Sequence, residues 1–355
     1  MLSYDVVEHG KPLQRAVRET PKPTGKEVLV RITRSGVCHS DLHIWDGYFD
    51  LGGGKRFYVK DRGCVPPFTL GHEPYGVVEA LGPDAKGVAV GSKRVVYPWI
   101  GCGECAVCKA GQDNYCLQQR FIGVFRPGAY SSHIVVPDAK YLVDATGVDE
   151  SFAATLGCSG ITTYSAIRKL PALTERDWVV VLGCGGLGMI ALSTLRALGI
   201  ERAIACDVDD GKLAAARAAG ARETVNSRDG QAAIAQIQKL SGGAVAGALD
   251  FVGMPATANV GIAVLGKGGR YILCGLFGGE LNVSLPPIAQ RAIGIIGSYV
   301  GNLQELREVV ALAQSGKLKP TPVETRPIKE VIRTLDELKA GKILGRVVLD
   351  VNETA

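Results

Sequence analysis

The sequence predicts an α/β protein in which a doubly wound parallel sheet is inserted into a second, strand-rich domain. Three observations predict this fold: a Gly-rich turn between a strand and a helix, alternating strands and helices over residues 160–299, and a strand-rich pattern before residue 159. A chain of 355 residues is long enough for two domains, each with its own core.

The composition is that of an ordinary globular protein, with 46% hydrophobic and 21% charged residues. The 40 basic and 35 acidic side chains leave a net charge of +5 without a basic block, so we expect neither nucleic acid nor an anionic membrane as a partner. Residues 1–6 are neither basic nor continuously apolar, so we expect no signal peptide. Ten cysteines in such a chain favour metal binding in a reducing cytoplasm over disulfides.

The first part of the chain alternates short apolar runs with turns. Strands are predicted at 28–33, 75–81, 93–97 and 131–136, and a helix at 161–170 that Pro171 ends. The segment 46–68 is rich in glycine and charge and is predicted to be a mobile surface loop.

Strands and helices then alternate as in a doubly wound sheet. The predicted strands are 179–182, 203–206, 223–226, 248–252, 270–274 and 293–297, and the predicted helices are 187–198, 211–219, 230–240 and 256–265. Two amphipathic helices, 303–314 and 328–340, precede a last strand at 346–351. Because that strand would have to extend a sheet of six strands, we assign it to the first domain. The predicted domains are residues 1–159 with 300–355, and residues 160–299.

The turn Gly183-x-Gly185-x-x-Gly188 has the spacing of a dinucleotide-binding site. Gly183 allows the tight turn, Gly185 lets a pyrophosphate approach the backbone, and Gly188 lets the helix pack on the strand. Asp207 ends the next strand, where it can accept hydrogen bonds from a ribose and repel a 2′-phosphate, which favours NAD over NADP. The predicted cofactor contacts are Gly183, Gly185, Gly186, Leu187, Gly188 and Asp207.

Residues 178–195 carry no charge and are also compatible with a membrane span. The glycines of the turn, and Arg196 and Arg202 shortly after it, argue against that interpretation.

The most specific signal is Cys102-x2-Cys105-x2-Cys108-x7-Cys116. Four thiolates in one short loop suit a closed tetrahedral zinc site, and the low apolar content of the loop means that metal must supply much of its folding energy. An iron–sulfur cluster is the alternative, but the fourth cysteine lies too far along the chain and no proline follows it.

A second set of metal-binding residue types is scattered along the chain. Cys38-His39-Ser40-Asp41-Leu42-His43 follows the first clear strand, His72-Glu73 opens another, and Cys158 precedes the first helix of the second domain. A single Cys or His is more often a packed core residue than a ligand. Together they supply a Cys, His, Cys set that suits catalytic zinc with one open position, although the sequence alone leaves their pairing open.

With the Cys cluster and the Gly-rich turn, these segments resemble the zinc-dependent medium-chain alcohol dehydrogenase family over essentially the whole chain. The resemblance implies a GroES-like first domain and a Rossmann second domain. It implies that Cys38, His72 and Cys158 hold a catalytic zinc, with Glu73 beside it as an alternative ligand or a neighbouring carboxylate. Asp41 would orient the His72 ring, and the four-cysteine loop would hold a second, structural zinc.

The resemblance also assigns roles to polar residues near the cofactor. Ser40 would hydrogen-bond the alcohol, and His43 would deliver its proton to solvent. His39 and Arg346 would meet the pyrophosphate, and Lys212 would lie near the adenosine ribose. For His39, Arg346 and Lys212 an ordinary solvated surface is the alternative.

Trp45 and Trp99 fall where the family lines its substrate pocket, although two core tryptophans are the alternative. The expected activity is NAD-dependent interconversion of primary or secondary alcohols with aldehydes or ketones. A polyol dehydrogenase of the same superfamily and a redox or nucleotide sensor with little catalysis remain as alternatives. Relatives are dimers or tetramers, so we expect a homotetramer or a homodimer. The apolar strands near 270–274 and 293–297, with the segment 276–287 between them, could form a dimer contact at the edge of the sheet. The 46–68 loop could be a lid or a subunit contact, and Cys64 within it an oxidisable thiol.

Overall fold

The structure is a computed structural model, and it describes residues 1–352. Within these residues no helix is both long enough and apolar enough to cross a membrane.

Strands and short helices make up the chain as far as residue 155. The strands are β1 Leu2–Val6, β2 Gln14–Val17, β3 Val28–Val37, β4 Tyr48–Gly52, β5 Lys55–Tyr58, β6 Phe68–Thr69, β7 Pro74–Leu81, β8 Lys93–Val96, β9 His133–Val136 and β10 Leu142–Asp144. The helices are α1 His39–Asp46, α2 Ala106–Lys109 and α3 Glu150–Thr155, with 3-10 turns at Val59–Arg62, Asp113–Tyr115 and Ala139–Tyr141.

A π-helical turn, Leu156–Gly160, links α3 to the second part of the chain. The helices there are α4 Ile161–Arg168, α5 Gly186–Ala197, α6 Asp210–Ala219, α7 Gly230–Ser241, α8 Pro255–Val264, α9 Leu285–Arg291, α10 Leu303–Gln314 and α11 Val331–Lys339, which a 3-10 turn at Ile328–Glu330 precedes. The strands are β11 Trp178–Leu182, β12 Ala203–Asp207, β13 Glu223–Asn226, β14 Val245–Asp250, β15 Arg270–Leu273, β16 Gly294–Gly297, β17 Val323–Pro327 and β18 Arg346–Asp350.

The predicted doubly wound sheet is confirmed. Six strands pair in the order β13-β12-β11-β14-β15-β16, and every pairing between neighbours is parallel. From β11 the chain first builds the sheet outwards through β12 and β13, and then continues on the other side of β11 with β14, β15 and β16. The carboxyl ends of β11 and β14 therefore form the switch point, which is where such sheets bind ligands. The strands are short and apolar because helices cover both faces of the sheet.

The last strand, β18, joins the first domain as predicted. It pairs antiparallel with β3 and parallel with β17, in the sheet ordered β10-β8-β7-β3-β18-β17. Residues from both ends of the chain therefore build one sheet. The predicted domain bounds at 159/160 and 299/300 stay a prediction.

The structure corrects the prediction for the segment 46–68. Instead of an unstructured surface loop, it contains the antiparallel hairpin β4–β5 and a 3-10 turn. Val59 and Cys64 are buried in the core of the first domain, and this burial holds the segment against that domain. The helix α1, which follows β3 directly, was also not anticipated, because its eight residues show little amphipathic pattern.

Candidate active site and metal centres

Cys38, His72, Glu73 and Cys158 meet in one buried cluster, although they come from separate parts of the chain. Cys38 caps α1, His72 and Glu73 precede β7, and Cys158 lies in the π-helical turn. One ligand atom from each residue lies within 4.8 Å of every other, and the Sγ atoms of Cys38 and Cys158 are 4.0 Å apart. A single metal ion fits among donors of this type and spacing.

The donors of the cluster differ in acidity, and the hydrogen bond with Cys38, together with burial, raises the pKa of Cys158 well above its ordinary value. The pKa of Cys38 lies well below its ordinary value because the Cys158 thiol hydrogen-bonds to it and because His72 and Arg346 lie nearby. The Nδ1 atom of His72 lies 2.9 Å from an oxygen of Asp41. The other ring nitrogen, Nε2, therefore faces the cluster and lies 3.2 Å from the Ser40 hydroxyl.

Asp41 is fully buried and hydrogen-bonded on both oxygens. Besides His72, it accepts a hydrogen bond from the Tyr130 hydroxyl at 2.9 Å and from the Cys38 backbone N–H at 3.0 Å. Tyr130 lies 89 residues away in sequence and was not predicted. Only the folding of the strand-rich domain brings it to Asp41, and no sequence pattern marks it.

Glu73 lies in a buried ion pair with Arg346 and also accepts a hydrogen bond from the Ser159 hydroxyl at 3.2 Å. Burial raises the pKa of Glu73 to about 7, although the Arg346 guanidinium opposes the rise. Arg346 is therefore no solvated surface residue. Its Nε atom has no hydrogen-bond partner among residues 1–352, so the guanidinium has a donor left for a ligand.

The four cysteines of the second cluster also converge. The Sγ atoms of Cys102 and Cys108 lie 3.9 Å apart, as do those of Cys105 and Cys116. Backbone N–H groups of Glu104 and Cys105 lower the pKa of Cys102 to about 6. Four sulfur donors whose ligand atoms all lie within 4.8 Å of one another suit a closed tetrahedral metal site.

The Gly-rich turn joins β11 to α5 at the switch point of the parallel sheet. Gly183 has a φ of 88°, and a Cβ on Gly188 would lie 1.9 Å from the carbonyl oxygen of Gly183, so both positions require glycine. At Gly185, which precedes the first helical residue, a Cβ would meet no atom within 4 Å, so the helix N-terminus opens on free space. Asp207 accepts hydrogen bonds from the backbone N–H groups of Cys184 at 2.7 Å and Asp209 at 3.0 Å.

A small cavity of about 60 Å³ lies at this helix N-terminus. It brings together four of the predicted cofactor contacts, namely His39, Gly186, Leu187 and Arg346. The orphaned Arg346 Nε, the positive end of α5 and the open space at Gly185 are what a pyrophosphate requires. Lys212 lines neither this cavity nor the larger one within the described chain, and its backbone N–H caps α6 through Asp209.

A larger cavity of about 560 Å³ connects the metal cluster to the cofactor turn. Cys38, His72 and Cys158 contribute to its wall, and His39 and Leu187 line both cavities. Its remaining surface is largely aromatic, with Phe49, Phe57, Trp99, Phe121, Phe125, Phe251, Phe277 and Tyr299.

The two tryptophans predicted for the pocket have different environments. Trp99 lines the large cavity, its ring centroid lies 5.4 Å from that of His72, and its indole N–H is held by the Gly157 carbonyl. Trp45 does not line the cavity, which corrects the prediction. Its indole N–H donates to the Lys11 carbonyl at 2.6 Å and its ring is buried in the first domain, since α1 turns this side chain away from the cluster.

Ser40 and His43 both line the large cavity. The Ser40 hydroxyl lies 3.3 Å from the Cys38 sulfur, next to the metal cluster. His43 stacks on Phe49 with ring centroids 4.9 Å apart, and no hydrogen bond joins it to Ser40 within residues 1–352. Burial lowers the pKa of His43 below its ordinary value, and the neighbouring His39 lowers it further, so the imidazole is neutral at pH 7.

Comparison with known proteins identifies two family models in the chain. Residues 24–146 match the alcohol dehydrogenase GroES-like domain, and residues 186–315 match the zinc-binding dehydrogenase family. The chain is 36% identical over 350 residues to a NAD-dependent alcohol dehydrogenase of Sulfurisphaera tokodaii, with 98% of this chain and 99% of that protein covered. It is also 36% identical over 351 residues to a NAD-dependent alcohol dehydrogenase of Saccharolobus solfataricus, with the same coverage.

Among solved structures, the chain is similar to an alcohol dehydrogenase from the hyperthermophilic archaeon Aeropyrum pernix. The TM-score is 0.89 at 31% sequence identity, and the superposition covers 99% of this chain and 100% of the other.

Proposed function

The chain belongs to the zinc-dependent medium-chain alcohol dehydrogenase family, and we propose that it interconverts primary or secondary alcohols with aldehydes or ketones, using NAD. The observation that carries this proposal is the cavity wall in which Cys38, His72 and Cys158 converge beside the Gly-rich turn. It supports a reaction in which substrate and nicotinamide meet next to one metal ion.

Two zinc ions per chain are part of the proposal. Cys38, His72 and Cys158 would hold the catalytic one, with Glu73 as an alternative ligand or a neighbouring carboxylate, and the four-cysteine cluster would hold the structural one. When bound, the catalytic ion acidifies an alcohol and NAD accepts the hydride. Asp41 would hold the His72 ring in place and keep Nε2 directed at the metal.

NAD would lie along the switch point of the sheet. His39, Arg346 and the N-terminus of α5 would bind the pyrophosphate, because they supply positive charge and unpaired N–H groups. Asp207 would accept hydrogen bonds from the adenosine ribose, and its charge would disfavour a 2′-phosphate. We also propose that Lys212 lies near this ribose, because it is in the first turn of α6, shortly after Asp207.

Ser40 and His43 would carry the proton that an alcohol loses. Ser40 adjoins both the metal cluster and the cavity, so its hydroxyl is within reach of a substrate oxygen. His43 is neutral and can accept a proton farther out. No side chain of residues 1–352 joins the two by hydrogen bonds, and bound NAD would supply a ribose hydroxyl to which Ser40 could pass the proton.

The cavity supports an apolar substrate. Eight aromatic side chains line it, which favours alkyl and aryl alcohols over polyols, because a polyol would lose its water without gaining enough hydrogen bonds. We therefore favour an alcohol dehydrogenase over a polyol dehydrogenase of the same superfamily.

We further propose a cytoplasmic homotetramer, with a homodimer as the alternative. None of the ten cysteines forms a disulfide, which is consistent with a reducing compartment. The edge strand β16 and the segment before it expose apolar side chains, among them Leu276, Leu285 and Ile295, which a second copy would cover.

Initial rates on straight-chain, branched, cyclic, benzylic and polyol substrates, each with NAD and NADP, would test the function. Among these uncharged substrates we expect the highest kcat/KM for the apolar alcohols with NAD, and we expect about two zinc ions per chain by elemental analysis. Preference for polyols would favour the alternative dehydrogenase, and NAD binding without turnover would favour a sensor.

The substitution Cys38→Ser tests the metal assignment. We expect loss of turnover and of about one zinc per chain, whereas NADH binding, followed by cofactor fluorescence, persists because the Gly-rich turn is untouched. Cys64→Ser is the matched control for metal content, since Cys64 is a buried thiol of the same cavity outside the cluster. Full activity and metal content in Cys38→Ser would refute the assignment.

A further inference from the structure

The hairpin β4–β5 and the 3-10 turn after it contribute to the wall of the large cavity. Phe49, Phe57, Val59 and Arg62 from this segment line the cavity. Residues 48–63 contain four cationic side chains, at positions 55, 56, 60 and 62, and two acidic ones, at 50 and 61. The segment is therefore positively charged, and it adjoins a cavity whose remaining lining is mainly apolar.

Three of these cations lie on aromatic rings. Arg56 lies 4.0 Å from the ring centroid of Tyr48, and Arg62 lies 4.8 Å from that of Phe57. Lys60 lies 5.5 Å from that of Tyr58. The face of an aromatic ring orients a cation and attracts it weakly, but it does not neutralise the charge as a carboxylate would. The fourth cation, Lys55, is paired with Glu280 at 3.8 Å.

Arg62 differs from its neighbours because it alone among these cations faces the cavity. Its guanidinium forms no ion pair with a carboxylate of residues 1–352. Gln119 is the other long polar side chain in the lining, and it carries no charge. The cavity thus presents one oriented guanidinium with free donors, which is a geometry suited to a carboxylate or phosphate.

Tyr299 relates the position of Arg62 to that of the metal-binding residues. The charge of Arg62 acts on the Tyr299 phenol, opposing the burial that raises the pKa of Tyr299 to about 12. The Tyr299 ring lies 6.3 Å from Trp99, which in turn lies 5.4 Å from His72, measured between centroids. Tyr299 is therefore within electrostatic range of both Arg62 and Cys158 of the cluster, and an apolar body packed along Tyr299 and Trp99 would connect the cluster with Arg62.

We propose that Arg62 selects alcohols that carry an anionic group, a carboxylate or a phosphate, at the end of an apolar body remote from the reacting carbon. This inference rests on the proposed function and narrows its substrate class. Phe57 holds the guanidinium over the cavity, and the aromatic lining accommodates the apolar body.

The test compares 4-(hydroxymethyl)benzoate with its neutral methyl ester, and with 4-(hydroxymethyl)phenyl phosphate. The measured quantity is the ratio of kcat/KM for each anion to that for the ester. We expect Arg62→Met to lower this ratio about tenfold, mainly through KM, because the contact is made equally in the ground and transition states. The anion with the larger loss identifies the head group.

Arg56→Met is the matched control, since Arg56 is a neighbouring arginine on an aromatic face that does not line the cavity. We expect it to leave the ratio unchanged. Arg62→Lys, which keeps the charge but loses the planar fork, should recover part of the preference. An equal ratio in the wild-type protein and Arg62→Met would overturn the proposal.

A binding measurement separates this proposal from the proposed function. Calorimetric titration with 4-methylbenzoate needs no turnover, and any contact of its carboxylate with metal is the same in the wild-type protein and in Arg62→Met. We expect about tenfold weaker binding to Arg62→Met. Weaker binding without alcohol oxidation would reject the proposed function but keep the anion site, whereas equal binding would overturn the anion site.

Discussion

Single residues in this molecule depend on partners that lie far away in sequence. Asp207 accepts two backbone hydrogen bonds, so its carboxylate is already oriented at the carboxyl end of β12. Arg346 satisfies Glu73 with one nitrogen and leaves another for a ligand. Such preorganisation reduces the entropy that ligand binding would otherwise cost.

The cofactor preference is testable at Asp207. We expect Asp207→Gly to lower the ratio of kcat/KM for NAD to that for NADP by about 10–100-fold, because charged hydrogen bonds to the ribose contribute about 1.5–3 kcal/mol. Asp210→Ala is the control, since Asp210 is exposed and begins α6 nearby. An unchanged ratio would show that Asp207 does not bind the ribose.

Elements differ in what holds them together. The loop of the four cysteines contains only the four-residue helix α2 and a 3-10 turn, and Cys102 and Cys105 are partly exposed. With so little apolar burial, the proposed zinc ion would be the main source of stability for this loop, and structural zinc contributes about 10–16 kcal/mol in small domains. The hairpin β4–β5 is anchored instead by buried Val59 and Cys64.

We therefore expect Cys105→Ser to damage folding more than the catalytic step. A three-thiolate site should lose most of its zinc, so the thermal midpoint should fall by several degrees and the soluble yield should drop. Differential scanning calorimetry with metal analysis measures both effects. Glu104→Gln, a change at the adjacent position, is the control, and a stable, fully active Cys105→Ser protein would contradict a structural role.

At the scale of the whole molecule, the chain leaves the first domain to form the parallel sheet β11–β16. It then returns to the first domain, where β17 and β18 extend the sheet that contains β3. The return through β18 also delivers Arg346, its first residue, to both Glu73 and the cofactor turn. One buried arginine thereby contacts Glu73 of the cluster and also lines the small cavity in which we propose that the pyrophosphate binds. The edge strand β16 remains free to pair with another copy in the part of the chain that the structure describes.

The subunit contact is testable on that edge. We expect Ile295→Asp combined with Leu285→Glu to produce smaller assemblies, because both side chains are exposed and apolar and an interface would bury the new charges at high cost. Light scattering after size-exclusion chromatography measures the mass. Val90→Glu, at another exposed apolar position, is the control, and an unchanged mass in the double variant would place the contact elsewhere.

The sequence by itself determined the parallel sheet, the Gly-rich turn and the four-cysteine cluster. These features are local: the residues of each signal are neighbours along the chain, so their spacing alone encodes a strand, a helix N-terminus or a metal loop. The helix predicted at 303–314 has the observed bounds of α10 for the same reason. The scattered ligand set of Cys38, His72 and Cys158 was predicted only from the resemblance to a family, because the spacing of these residues along the chain does not show that they meet.

Only the tertiary structure decided which distant side chains meet. Cys38 and Cys158 are separated by 120 residues, and Tyr130 reaches Asp41 across 89. It also excluded Trp45 from the cavity, ordered the hairpin β4–β5 and turned Arg62 towards the substrate space. The physical reason is that such contacts depend on how complete sheets pack and twist together, and no periodicity within a short stretch of chain records that packing.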